Sequence, residues 1–246
     1  MSKEEIAIKE GAWLIADSHY AHYNTTLYDF LSKIEPKKLP PQLILMGDIF
    51  DLLFGNARNS IQPNRKMVDL LKQIARVCEV IYLEGNHDFG LEPIFGGVVR
   101  VVPRSSQPIF AKVGRFRVAL HHGDTLQGVG YELYTAAIRN RYVDKTLNLL
   151  DTLSGGAVIG WLERYNRKKR PCYEIDDFEE RMQRRLDALM KKYSFDYWVE
   201  GHFHQGIGFG YKGISYFNLP ALSCAKRYIV IRSFEGSIEF ERRSVT

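Results

Sequence analysis

Cysteine is scarce in this chain of 246 residues: Cys78, Cys172 and Cys224 stand far apart, odd in number and with no CxxC pair. That spacing excludes a zinc–cysteine site and a disulfide framework, and free thiols suited to a reducing cytosol are expected. Long apolar runs are also missing. None approaches the roughly 20 residues that cross a bilayer, so no membrane span is expected. The opening MSKEEIAIKE is charged where a secretory signal needs an apolar stretch. There is no internal repeat and no low-complexity tract. Charge of one sign is not in great excess either: the formal net charge is +5. That fits a phosphate-bearing partner or an acidic membrane surface, or a slightly basic solvated surface. With no nucleic-acid-binding module in the sequence, it argues against a nucleic-acid partner.

What is present is an ordinary globular composition, 45% hydrophobic and 26% charged, read as a single α/β domain over 1–246. Short apolar runs recur, and most lead into a polar cluster. Residues 12–16 (AWLIA) precede Asp17-Ser18-His19, and 43–46 (LILM) precede Gly47-Asp48. Residues 80–83 (VIYL) lead through Glu84 to Gly85-Asn86-His87-Asp88. Residues 116–120 precede His121-His122-Gly123-Asp124, and 197–199 lead into Glu200-Gly201-His202-Phe203-His204. Runs this short, rich in β-branched and aromatic residues, read as buried strands. Helical periodicity at 25–34 and 64–77 separates the first three, which predicts a parallel core sheet. Ligands of such sheets gather beyond the carboxyl ends of the strands, where these clusters fall.

Residues 125–193 read differently, as a helical insertion. An apolar-rich stretch at 131–153 meets a Ser154-Gly155-Gly156 break, and a second short helix runs to about 165. A basic run at 164–170 follows, then an amphipathic helix carrying Ile175, Phe178, Met182, Leu186, Leu189 and Tyr193. Beyond it, 214–217, 227–231 and 237–242 read as a strand meander.

The residues at the strand ends are carboxylates, an amide and imidazoles, which suit manganese, iron or zinc. Asp17 and His19, two apart, can reach one ion from one strand end. Asp48 can bridge two ions, Asn86 and His122 serve the second, and His202 and His204 give one ligand to each. A pair of ions about 4 Å apart activates a bound water and clamps phosphate oxygens. His87, next to a ligand, is placed to protonate the leaving oxygen. Asp88 or Asp51 can orient its ring.

These motifs, in this order, resemble those of the calcineurin-like metallophosphoesterases. The resemblance covers Asp17 to His204 and implies a four-layer αββα sandwich and a two-metal hydrolase. It selects His122, the histidine before Gly123, over His121; neighbours on a strand face opposite ways. A narrower resemblance lies in GDIFD, GNHDF, HGDTL and the insertion before the last motif. It is similar to the UDP-2,3-diacylglucosamine pyrophosphatases of lipid A synthesis. That resemblance implies manganese, peripheral contact with the inner membrane, a lid over acyl chains, and UMP and lipid X as products. His87 departs from it, because those enzymes carry arginine there. His87 matches the general phosphodiesterase pattern, which implies a soluble enzyme acting on nucleotides or phosphoproteins. A non-catalytic metal-dependent scaffold is a further alternative. The basic cluster Arg167, Lys168, Lys169 and Arg170 is either a solvated helix end or a contact for diphosphate or anionic lipid. The apolar insertion is either packing or a lid.

Overall fold

In the computed structural model, which describes residues 5–55, 57–169, 172–234 and 236–245, the apolar runs become strands and the periodic runs helices. The first part of the chain forms β1 (Glu5–Ala7), β2 (Trp13–Ile15), α1 (Thr26–Leu31), β3 (Gln42–Leu45), β4 (Leu53–Phe54) and α2 (Arg58–Ile74). Then come β5 (Glu79–Leu83), β6 (Asp88–Phe89), α3 (Glu92–Phe95), β7 (Arg100–Val102), β8 (Ile109–Val113) and β9 (Phe116–His121). Four helices follow: α4 (Val129–Ile138), α5 (Arg141–Leu153), α6 (Ala157–Lys168) and α7 (Phe178–Lys192). The chain closes with β10 (Tyr197–Glu200), β11 (Gly208–Tyr211), β12 (Ile214–Asn218), α8 (Leu222–Ala225), β13 (Arg227–Phe234) and β14 (Ser237–Ser244).

One sheet has the order β14-β13-β2-β3-β5-β7 and the other β1-β8-β9-β10-β12-β11. Their strands are apolar on both faces, as the unbroken runs require. In β3, Leu43 and Leu45 face α1 and α2, while Ile44 points at the second sheet. In β5, Val80 and Tyr82 face the helices, and Ile81 and Leu83 face the sheet. The second sheet repeats this. Val118, Leu120 and Val199 enter the inter-sheet core, while Ala119 and Trp198 pack on Phe178, Met182, Leu186 and Leu189 of α7. The result is helix, sheet, sheet, helix. Each fully buried leucine or isoleucine in these layers contributes about 1.5–3 kcal/mol.

Parallel register aligns the functional ends. Ile15 pairs with Leu45 and Leu45 with Tyr82, so the first three clusters leave one edge together. In the other sheet Glu200 stands level with both His121 and Asn218.

Three expectations change. The 125–193 segment is not one unit: α7 is the outer layer of the sandwich, whereas α4, α5 and α6 stand over the strand ends. The final strands are not one meander. β12 runs parallel beside β10, while β13 and β14 add antiparallel to the other sheet. Cys172 and Cys224 are not free thiols, because the fold brings their Cα atoms to 5.6 Å and they are disulfide-bonded. Cys78 remains a buried free thiol. No helix among the described residues is long and apolar enough to cross a membrane.

Candidate active site

Asp17, His19, Asp48, His202 and His204 all adopt left-handed backbone, with φ of 51°, 46°, 52°, 66° and 62°. That conformation costs a non-glycine residue about 1–2 kcal/mol, and such strain concentrates at functional sites. Here it turns each chain sharply past its strand end and aims the side chain inward. Asp17 and His19 therefore meet through a turn beyond β2 rather than through strand alternation. His202 and His204 part in the same way. His204 groups with Asp17 and His19, and His202 with Asp48 and His122. A third cluster joins His19, Asp48 and His87. Ligand atoms within each cluster lie within 4.8 Å of one another. Asn86 joins the second cluster, its Oδ1 3.3 Å from Nε2 of His122.

The glycines of the motifs are required by this crowding. A Cβ on Gly85 would sit 2.1 Å from Oδ1 of Asp48, and one on Gly201 would sit 2.6 Å from Oδ2 of Asp17. The loops approach the carboxylates too closely for any side chain.

Electrostatically the centre favours cations. Burial alone would raise the Asp48 carboxyl, but His122, His87 and His19 outweigh it and hold it well below the usual range. Asp17 behaves alike: His204 and His122 overcome its burial. Burial opposes charge on His122, yet Asp48 beside it pushes that imidazole well above its ordinary value. A proton there stands in for positive charge that the carboxylates demand. His202, buried and beside His122, falls to about 4, so it is a neutral imidazole with a lone pair to give. Nδ1 of His122 lies 2.9 Å from the Met46 carbonyl, which accepts its N–H and leaves Nε2 for the centre. Nε2 of His19 is buried without a hydrogen-bond partner among the described residues. An orphaned nitrogen among carboxylates and imidazoles fits a divalent metal.

His87 lies at the mouth of the centre. Its Nδ1 is 2.8 Å from the Asp51 carbonyl and 3.8 Å from Oδ1 of Asp51. The group against the ring is thus the Asp51 backbone carbonyl, with the Asp51 carboxylate beyond hydrogen-bond reach. Asp88 does not orient the ring, which corrects the alternative that placed it behind His87. Its carboxylate accepts from the backbone N–H of Asp48, Ile49, Phe50 and Gly85 and from the Tyr82 hydroxyl. Burial and the Asp48 charge push its pKa up to about 7, while those donors oppose the rise. Asp88 ties the two loops together and does not face the cavity. His121 points to the outer layer and stacks on Trp198 at 5.9 Å.

Several supporting residues are not legible in the motifs. Asn218 donates to the carbonyls of Glu200 and Gly201 and accepts from the Gln205 N–H, bracketing both terminal histidines. Arg185 of α7 donates to Glu200 and to the Gly123 carbonyl. Arg139, after α4, donates to the Gly85 carbonyl at 2.9 Å. Asn166 of α6 reaches the Asp51 carbonyl at 3.2 Å. Only Asn218 and Glu200 carried a signal, as polar residues ending apolar strands.

Two cavities meet here. One, about 310 Å³, contains His19, Asp48, His87, His202 and His204, with Arg167 and Lys169 on its wall. The other, about 450 Å³, is apolar, lined by Phe54, Phe89, Tyr131, Ile138, Leu147 and Trp161 among others. Both are bordered by Asn86, His87, Asn166 and Lys169. Of the basic cluster, Arg167 and Lys169 reach the site; Lys168 is exposed and lines neither cavity, and Arg170 lies outside the described residues.

The chain is 27% identical to the UDP-2,3-diacylglucosamine hydrolase of Coxiella burnetii (strain RSA 331 / Henzerling II) over 180 residues, 72% of this chain and 71% of that protein. Among solved structures it is similar to a dimetal phosphatase from Danio rerio, with a TM-score of 0.49 and 14% identity over 96% of each chain. It is also similar to zinc-complexed Vps29 from Entamoeba histolytica, with a TM-score of 0.40 and 13% identity, covering 96% of this chain and 99% of that one. The sequence model of the calcineurin-like phosphoesterases matches residues 12–206, a span holding every clustered carboxylate and imidazole, and the chain belongs to that family of metal-dependent phosphoesterases.

Proposed function

We propose that this phosphoesterase cleaves the diphosphate of a nucleotide-linked lipid, UDP-2,3-diacylglucosamine, releasing UMP and lipid X. Asp17, His19, Asp48 and His204 hold one divalent ion, and Asp48, Asn86, His122 and His202 the other. Manganese is the first choice, with iron or zinc as alternatives. The ions supply an activated water and charge for the phosphate oxygens. The protein's own residues do the rest. The Asp51 carbonyl accepts from Nδ1 of His87, so the ring gives the leaving oxygen a proton from Nε2 only as the imidazolium, which burial disfavours and the Asp48 charge favours. Arg167 and Lys169 bring positive charge to the diphosphate.

The observation that carries the lipid reading is the apolar cavity beside the metal cavity, the two sharing Asn86, His87, Asn166 and Lys169 in their linings. Its size suits acyl chains. One wall comes from α4, α5 and α6, acting as the lid, and the facing wall from Leu52, Phe54, Ala57 and Phe89. The relative from Coxiella, named for this substrate, supports the same reading. Val129, Leu133, Leu149, Leu153 and Trp161 on those helices are exposed, which suits peripheral contact with a membrane that supplies the lipid. His87 favours a second reading, a phosphodiesterase or phosphatase acting on nucleotides or phosphoproteins.

Turnover with manganese on UDP-2,3-diacylglucosamine and on bis(p-nitrophenyl) phosphate separates the two. Strong preference for the lipid with release of UMP is expected. Hydrolysis of the generic ester alone would leave the phosphoesterase intact and remove the lipid.

A further inference from the structure

The Cys172–Cys224 bridge joins two segments that both border the metal centre. Cys224 lies in α8, and Cys172 follows the basic end of α6 by a few residues. The two sides are anchored unequally. On the α8 side, Leu222 is fully buried, its N–H donates to the Ala16 carbonyl, and Ser223 gives the Asp17 carbonyl both its N–H and its hydroxyl. On the other side Cys172 is exposed. Beyond the bridge, the following residues are held through the Gln205 side chain, which donates to the Tyr173 carbonyl and accepts from the Ile175 N–H. Upstream, Asn166, Arg167 and Lys169 line the cavity, with Arg167 over the Tyr23 ring at 5.4 Å. Arg167 and Lys169 are themselves exposed.

We propose that the Cys172–Cys224 bridge positions the Asn166–Lys169 segment at the metal cavity, and that its reversible reduction weakens capture of a phosphate-bearing substrate while leaving the metal centre in place. This rests on the reading of that cavity as the phosphate site. Cys172 is exposed as a residue, which gives a reductant access to the bridge. A dithiol carries out the step by thiolate attack on one sulfur. The S–S bond breaks, Cys172 and Cys224 become thiols, and the dithiol closes to its own disulfide, having given two electrons and two protons. The basic segment then loses its covalent tie to α8. Each binding event must re-order it, a cost that appears in KM rather than in the chemical step.

The test compares the manganese-loaded protein oxidised, and reduced with a water-soluble phosphine that is itself converted to its oxide with water. A Cys172→Ala/Cys224→Ala variant is carried alongside. Three readouts are taken: amide hydrogen exchange over 157–169, bound manganese, and KM and kcat for bis(p-nitrophenyl) phosphate. Reduction is expected to speed exchange in that segment and to raise KM roughly 5–10-fold, the cost of ordering two or three side chains. Manganese content holds and kcat falls by less than KM rises, because the segment touches the reacting groups only through Asn166, beside Nδ1 of His87. The double variant should match the reduced protein, ignore the phosphine, and show that the reductant acts through this bridge. Reoxidation of the wild type should restore the original KM. Unchanged exchange on reduction overturns the proposal. So does a fall in manganese content, which would make the bridge a support of the metal centre. If the oxidised protein hydrolyses no phosphoester, the functional reading fails separately, and exchange over 157–169 still decides whether the bridge holds the segment.

Discussion

His87 and Asp88 are neighbours in the chain with different duties, and substitution separates them. His87 faces the cavity, and its ring is held by the Asp51 carbonyl. His87→Ala removes a proton donor while leaving the proposed ligands alone, so kcat should fall about 10²–10⁴-fold. Bound metal, measured by elemental analysis, should not change; metal loss equal to activity loss would take His87 out of the catalytic role. Asp88→Ala does the reverse. It strands four buried N–H groups and the Tyr82 hydroxyl, each orphaned group costing about 1–3 kcal/mol. Thermal unfolding should show a loss of several kcal/mol even without metal, and an unchanged Tm would contradict the loop-tying role. The identities of the clustered residues were readable in the sequence because each motif ends an apolar run. The role of Asp88 was not, because its partners Asp48, Ile49 and Phe50 lie some 40 positions away. Nor was the left-handed turn at five of the clustered residues. Strand alternation brought Asp17 and His19 together for a reason that the backbone does not use.

Helix α7 illustrates what an amphipathic pattern leaves open. Its period was plain in Phe178, Met182, Leu186 and Leu189, but periodicity does not say which surface the apolar face covers. It was grouped with α4, α5 and α6, yet it packs on Trp198 and Tyr216 as the outer layer. That position brings Arg185 inward, between Glu200 and the Gly123 carbonyl. Glu200 also accepts from Trp198 Nε1 at 2.8 Å and from the Tyr216 hydroxyl at 2.9 Å. The pair sits between the strand ends that carry His122 and His202. Arg185→Met leaves the Glu200 carboxylate buried without its cation, so stability should fall by about 3–5 kcal/mol. Adding Glu200→Gln removes the stranded charge and should recover part of the loss, giving a positive coupling in a double-mutant cycle followed by denaturant unfolding. Strictly additive losses would mean that the two residues do not act as a pair. The β13–β14 hairpin shows the same limit of sequence reading. Both strands were foreseen, but nothing local distinguishes joining β12 from joining β2.

The four layers follow from two faces of every central strand being apolar, which unbroken runs such as 43–46 and 80–83 already display. Closure of the molecule by Cys172 and Cys224 does not follow, because 52 positions separate them and only the assembled fold makes them neighbours. Burial on this scale also sets how the whole protein responds to acid. His121 lies between the inner strands and α7, fully buried. Burial and the Arg185 charge hold its pKa well below the ordinary 6.5. In the unfolded chain it titrates near that ordinary value. Above 6.5 both states are neutral and the native one loses nothing. As pH falls from 6.5 toward the native pKa, the unfolded chain binds a proton that the native protein refuses, so stability is lost. Other groups run the opposite way. Asp88 and Glu84 are raised by burial, and they bind protons in the native state first, adding stability as pH falls. The bulk acid profile therefore mixes signs, and a difference between two proteins isolates the histidine. His121→Gln keeps a side-chain acceptor near the Gly123 N–H and abolishes the titration. At pH 7.5 the variant should be less stable than wild type, having lost the stack on Trp198. At pH 5 the gap should narrow, because only the wild type still carries a buried imidazole that resists its proton. Metal-free Tm values of both proteins at the two pH values check this. A gap that stays constant with acid would mean that His121 takes up its proton in the native protein as readily as in the unfolded chain, and one that widens would mean more readily.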